Sequence, residues 1–326
     1  MMNLVDCKLK CGSARIQTYA DVGKEAFSII GMWIVNVSQI ASQLLYCCSY
    51  MMIMTENLEY IVPSVRQEIW VMALVAIFYL TSFFRSMRVL SMISVTANLA
   101  LVIAVVLVFS SLLITGDRKT AEIVSFQGSG APLMIGITLF SFEGIGLVIP
   151  MQGSMAQPQH YGKSLTFVLF LVFILDFLFG TICYASLGTS TPELISRAVS
   201  SEYPTLKTLS ILLIISSLGA SYDLLLIPVF TTIDESSHLR SMRRRHKKAT
   251  RIASSLLDLT VICVSVLPSL TPIRTHFPAF ISFIGATVGS ESRSSLDLFD
   301  EKIPLDVSTG KLLRQLDRLS MVVIFY

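Results

Sequence analysis

Long apolar runs separated by short polar loops dominate the chain. A helix needs about 20 apolar residues to cross the hydrocarbon core of a bilayer. By that requirement the pattern predicts seven spans, over residues 26–54, 69–84, 89–115, 132–152, 165–187, 205–230 and 252–270. An eighth apolar piece, Phe277–Gly289, is too short to span as it stands. Backbone polar groups in lipid must be satisfied within the segment, so runs of this length predict an all-helical polytopic membrane protein.

Composition agrees with the pattern. Hydrophobic residues make up 53% of the 326 and charged residues 14%, whereas soluble domains carry about 25% charged residues. Net charge is only +3, and its distribution says more than its sum. Basic residues gather in the leading segment (Lys8, Lys10, Arg15, Lys24), the second-to-third loop (Arg85, Arg88) and the fourth-to-fifth loop (His160, Lys163). The densest group is the sixth-to-seventh loop, Arg240 to Arg251. All four lie on one side if the spans alternate. The opposite loops hold Glu56, Glu59, Glu68, Asp117, Glu122, Glu193 and Glu202. The Lys/Arg bias predicts a cytoplasmic N-terminus, which argues against a heptahelical receptor. Residues 1–25 are mixed polar with no apolar core segment, unlike a cleavable signal peptide. There is no nucleic-acid signature.

The polar residues inside the spans carry the candidate chemistry. Within Leu139–Gln152, apolar on both sides, stands one carboxylate, Glu143, followed by Gly144, Gly146 and Pro150. An intramembrane carboxylate is costly and usually faces a cavity, an ion path or a substrate. The two glycines weaken the helix where the charge sits. An interrupted helix presents backbone N–H and C=O groups that can hold an ion or a polar solute at membrane depth. The segment therefore reads as the wall of a transport site; a Gly-containing helix with a neutral or paired Glu is the blander reading. The first span carries Asn36, Ser38, Gln39, Ser42 and Gln43. The four-residue spacings stack two polar stripes on one face, which suits interhelical hydrogen bonding better than pore lining. Asn98, one turn after Ser94, is either a structural donor or a site residue. Asp176 and Asp223, the latter near Ser216 and Ser217, either carry a proton or pair with another helix. Asp258 is expected at the interface, and the four histidines lie outside the spans.

Motifs of soluble catalysis are missing: there is no G-x-S-x-G, H-E-x-x-H or phosphate loop, so no enzyme is expected. Of six cysteines, Cys47, Cys48, Cys183 and Cys263 lie in apolar runs and read as small hydrophobes. Cys7 and Cys11 lack nearby ligand partners and read as free thiols rather than a zinc site. No metal or cofactor is expected.

Phe140-Ser-Phe-Glu-Gly-Ile-Gly-Leu-Val-Ile-Pro150, followed by Met155-Ala-Gln-Pro158, resembles the signature of the amino acid/auxin permease superfamily. The likeness is closest to its vacuolar and proton-coupled amino acid transporter branch. Thr18-Tyr-Ala-Asp-Val-Gly23 is similar to the segment before that family's third helix. Val35–Ile40 with Cys47–Tyr50 is similar to the helix itself, and Phe280–Ala286 to the start of the tenth. The resemblance implies a LeuT-like inverted-repeat bundle of about seven to eight helices, lacking the family's first two, with 132–152 as the broken sixth helix. It implies alternating-access transport of neutral amino acids, commonly with protons, in a vacuolar or endomembrane bilayer. Glu143, Gly144 and Gly146 would line the site, with Phe142, Asn98 and Ser217 as further candidate contacts to substrate or ion. The expected organisation is a cytoplasmic segment 1–25, a transporter domain 26–289 and a divergent tail 290–326, in which Lys311–Tyr326 is an interfacial helix or a disordered end. The alternative is a non-transporting remnant or amino acid sensor. The partners implied are an amino acid and the lipid bilayer.

Overall fold

Helices α1 (Tyr19–Ile61), α2 (Gln67–Thr81), α3 (Met87–Ile114), α4 (Ala131–Ser141), α5 (Tyr161–Leu187) and α6 (Pro204–Glu235) follow the apolar runs. A seventh, α7, covers residues 259–266 and continues as a 3-10 turn at Leu267–Leu270; α8 is Phe277–Thr287. The computed structural model describes residues 19–82, 87–114, 124, 130–142, 148, 151–153, 155, 157–199, 203–235, 259–270 and 276–287. Among these there is no strand. The chain divides into two compact units, one of Val37–Glu143 with Lys163–Val288, the other of Met1–Asn36, Gly144–Gly162 and Gly289–Tyr326.

The core of the larger unit is built at helical spacing. Cys47, Met51 and Met54 of α1 meet Val71, Leu74 and Phe78 of α2, Tyr222, Leu226 and Phe230 of α6, and Ile262 and Val266 of α7. Each set repeats at three or four residues, so each helix commits one face to the cluster. Phe78 stacks on Tyr222 with ring centroids 4.1 Å apart. The α3 helix packs along α6, and Phe109 against Phe179 ties α3 to α5 at 5.3 Å. Outside this core the surface stays apolar. On α5, Phe167, Phe170, Phe173 and Phe177 are all exposed. So large an apolar exposure marks a surface that meets lipid.

Contacts gather the predicted non-cytoplasmic loops at one end of the unit. Gln67, just after the first loop, donates to the carbonyl of Ser269 at 3.3 Å. Arg197 of the third such loop pairs with Glu56 at 3.2 Å. Ser196 donates to the side-chain oxygen of Asn57 at 2.8 Å, and Phe277 packs on Met52. Alternating spans require this grouping.

Span lengths depart from expectation. Among the described residues, four helices are long and apolar enough to cross: Ser28–Ile61, Val95–Leu112, Pro158–Ser190 and Pro204–Ile227. In the predicted second span the described helix has 15 residues, and in the fourth it has 11, with helical residues again at 148 and 151–153. Those two helices measure about 22 and 16 Å, against a hydrocarbon core of about 30 Å. Residues 252–258 of the predicted seventh span lie outside the described residues, as do Arg240–Arg251, Cys7, Cys11, Asp258 and the tail.

In the smaller unit, α1 turns sharply. Ser28 has φ 59°, the left-handed region, which costs a non-glycine residue about 1–2 kcal/mol. A Cβ on Gly23 would stand 2.7 Å from the Gly31 carbonyl oxygen, two positions that a continuous helix holds about 12 Å apart. The chain therefore folds back at Ser28, where periodicity alone predicts one uninterrupted span. Ser28→Gly is expected to raise stability by about 1 kcal/mol and Ser28→Val to lower it, read as opposite shifts in thermal unfolding in detergent.

Candidate functional site

The site is built around the C-terminal end of α4. Pro132 is the second residue of this helix, within the first turn where a missing N–H costs nothing. The helix stops at Ser141, and Phe142 caps it with φ −92° and ψ 13°, its N–H reaching the Thr138 carbonyl at 3.2 Å. The last helical residue falls two residues before Glu143. Glu143, Gly144 and Gly146 lie outside the described residues.

Three other helices hold that end in place. Tyr46 of α1 lies against Phe140, ring centroids 4.5 Å apart, and its hydroxyl points at the Phe140 carbonyl oxygen at 3.5 Å. Ser141 donates to the Asp176 carboxylate of α5 at 2.5 Å. From α8, Gly285 crosses Gly136 so closely that a Cβ on Gly285 would overlap the Gly136 carbonyl oxygen. Small residues at a crossing let two membrane helices meet backbone to backbone. The last carbonyls of any helix lack intrahelical partners, and here a tyrosine from a third helix serves one of them.

Asp176 and Asp223 both have interhelical partners. Asp223 accepts from Thr81 of α2 at 2.9 Å, beside the Phe78–Tyr222 stack. The neighbouring Tyr222 hydroxyl, fully buried, bonds Ser265 of α7 at 2.7 Å.

Two members of the α1 polar stripes, Ser42 and Gln43, depart from the interhelical bonding expected of them. Ser42 is buried but donates to the Gln39 carbonyl of its own helix at 3.0 Å. Gln43 is 2% exposed, and its Oε1 has no hydrogen-bond partner. The interhelical contact comes from Tyr46 instead. That residue extends the Gln39–Gln43 stripe by one more turn, the signal by which it was findable.

Of the remaining sequence candidates, Phe142 is half-buried at the α4 cap, Asn98 is exposed on α3 and Ser217 is buried on α6. No hydrogen bond among the described residues joins these three. At the loop end of the larger unit, the Arg197–Glu56 pair lies beside Tyr60, with the guanidinium 5.4 Å and the Lys207 ammonium 4.8 Å from the ring centroid. Cys47, Cys48 and Cys183 are buried free thiols, and Cys263 is an exposed one.

The sequence profile of the family described as "Transmembrane amino acid transporter protein" matches residues 1–291. The chain belongs to that family. Its membership agrees with an integral, multi-pass membrane protein. Relatives include vacuolar amino acid transporter 3 of Saccharomyces cerevisiae, 28% identical over 60% of this chain and 29% of the relative. The protein of the same name from Schizosaccharomyces pombe is 21% identical over 82% of this chain and 42% of its own. Amino acid transporter AVT3A of Arabidopsis thaliana is 23% identical over 88% of this chain and 67% of its own. The chain thus spans under half the length of the two yeast proteins. No solved structure matches it.

Proposed function

We propose that this member of the family carries neutral amino acids across a vacuole-type or other endomembrane, coupled to protons, by alternating access. The observation that carries the reading is the end of α4 at Ser141, directly before an intramembrane carboxylate and two glycines. A helix that stops inside the bilayer presents backbone groups to whatever passes. In this reading Glu143 meets the amino group of the solute or a proton, Gly144 and Gly146 supply the backbone opening, and Phe142, Asn98 and Ser217 contribute further contacts. The bundle is an inverted repeat rocking about that point. The basic loops hold the N-terminus in the cytoplasm, and the vacuolar relatives support the choice of membrane.

The test is uptake of labelled neutral amino acids by proteoliposomes under an imposed pH gradient. Saturable uptake that collapses with a protonophore is expected. Glu143→Gln is expected to lower it tenfold or more, because the amide can neither hold a proton nor neutralise an ammonium group. Uptake unchanged by Glu143→Gln removes that residue from the mechanism, and uptake indifferent to the gradient removes proton coupling. Saturable binding with no flux would point to a sensor.

A further inference from the structure

The buried amide of Gln43 is an acceptor without a donor, and its place in the bundle says what donor it awaits. Tyr46 of α1 packs with Ile284 of α8, while Met52 packs with Phe277, so the two helices run antiparallel. Along α4, Ser282 of α8 reaches the Pro132 carbonyl at 3.4 Å, while Gly285 stands against Gly136 and Phe140. The α4 helix therefore runs with α8 and against α1. Its C-terminal end points toward the earlier residues of α1, and Tyr46 meets it at Phe140. Gln43 lies on the same face of α1, three residues and about 4.5 Å of axis beyond Tyr46 in that direction. It is thus level with the point where α4 stops.

Acceptors gather near this point, beside the donating hydroxyls of Tyr46 and Ser141. A helix C-terminus presents carbonyl oxygens and the negative end of the helix dipole. The Asp176 carboxylate is held at Ser141. The Gln43 Oε1 adds a third acceptor, 98% of the residue being withdrawn from solvent with no partner for that atom. Buried polar atoms without partners are rare and destabilising, and a cluster of acceptors at a helix C-terminus suits a cation with several N–H donors.

We propose that Gln43 is a substrate-binding residue whose side-chain carbonyl accepts a hydrogen bond from the primary ammonium group of the transported amino acid at the end of α4. This rests on the transport reading above and adds a contact from α1 to it. Gln43 contributes to recognition of the ammonium group because its oxygen gains nothing from a solute with no hydrogen-bond donor at carbon 2.

The test uses the full 326-residue chain in liposomes. Labelled L-alanine, L-leucine and L-glutamine identify the best-bound amino acid, and inhibition constants are then measured for that amino acid and for the carboxylic acid of the same side chain with hydrogen in place of the amino group. Gln43→Leu is expected to raise the constant for the amino acid about tenfold and that for the amino-free acid less than twofold. Gln43→Glu keeps the size and the acceptor and adds negative charge, so it is expected to widen the preference for the amino acid at least threefold. Equal losses for both probes in Gln43→Leu mean a structural role and overturn the proposal, as do unchanged constants. If Gln43→Leu yields no folded protein, Gln43→Glu decides alone, and an unchanged preference there overturns it. A wild-type chain that binds none of the three amino acids brings down the transport reading and this proposal together.

Discussion

Gly285→Val is expected to abolish the folded protein in detergent, and Gly285→Ala to lower its stability by about 3 kcal/mol. A Cβ at this position would overlap the Gly136 carbonyl oxygen and stand 2.7 Å from the Phe140 backbone nitrogen. These are backbone atoms of a neighbouring helix, which cannot rotate aside as a side chain does. The clash is reciprocal, since a Cβ on Gly136 would overlap the backbone and hydroxyl of Ser282. Separating α4 from α8 would also pull the α4 end away from Tyr46 and Asp176. Gly180→Ala is the control: a Cβ there meets nothing within 4 Å. Because alanine is favoured over glycine in helices by about 1 kcal/mol, it should be neutral or slightly stabilising. Thermal unfolding followed by size-exclusion chromatography reads all three. A monodisperse Gly285→Val protein melting like wild type would show that the two helices do not cross there.

Tyr222→Ala should be the next most damaging change, at about 3–5 kcal/mol. Tyr222 is fully buried at the meeting of α1, α2, α6 and α7, stacked on Phe78 and bonded to Ser265. Truncation removes the ring from contact with three other helices and leaves a cavity that they fill only partly. Tyr222→Phe separates packing from hydrogen bonding. Its expected cost is only about 1 kcal/mol, since the Ser265 hydroxyl retains its 2.7 Å bond to the Ile262 carbonyl. A phenylalanine variant as damaging as the alanine one would shift the weight from the ring to the hydroxyl.

Much of the architecture was legible in the chain because it depends on local quantities. Whether a segment enters lipid follows from the summed transfer free energy of its own side chains, so the apolar runs located the helices and marked Phe277–Gly289 as too short to cross. The end of α4 at Ser141 falls where the sequence weakens the helix with glycines, though Glu143, Gly144 and Gly146 themselves lie outside the described residues. The fold-back at Ser28 was not legible, since a serine carries no sign that its φ will be positive.

Partners were a different matter. The helix-length patterns of α3 and α5 are apolar on all sides, so no hydrophobic stripe reveals which face turns inward. Asp176 and Asp223 could be recognised as anomalies in lipid, but not as the acceptors of Ser141, 35 residues away, and Thr81, 142 residues away. The α1 stripe promised interhelical bonds through Ser42 and Gln43. Rotation and height of the packed helices gave that contact to Tyr46, 94 residues from Phe140, and left the Gln43 oxygen buried and unanswered. The sequence alone determined that the chain crosses a membrane as helices. Tertiary structure decided which polar groups face one another, because in an apolar solvent that choice rests on how closely two backbones can approach, as Gly136 and Gly285 do, and not on the polarity of either segment.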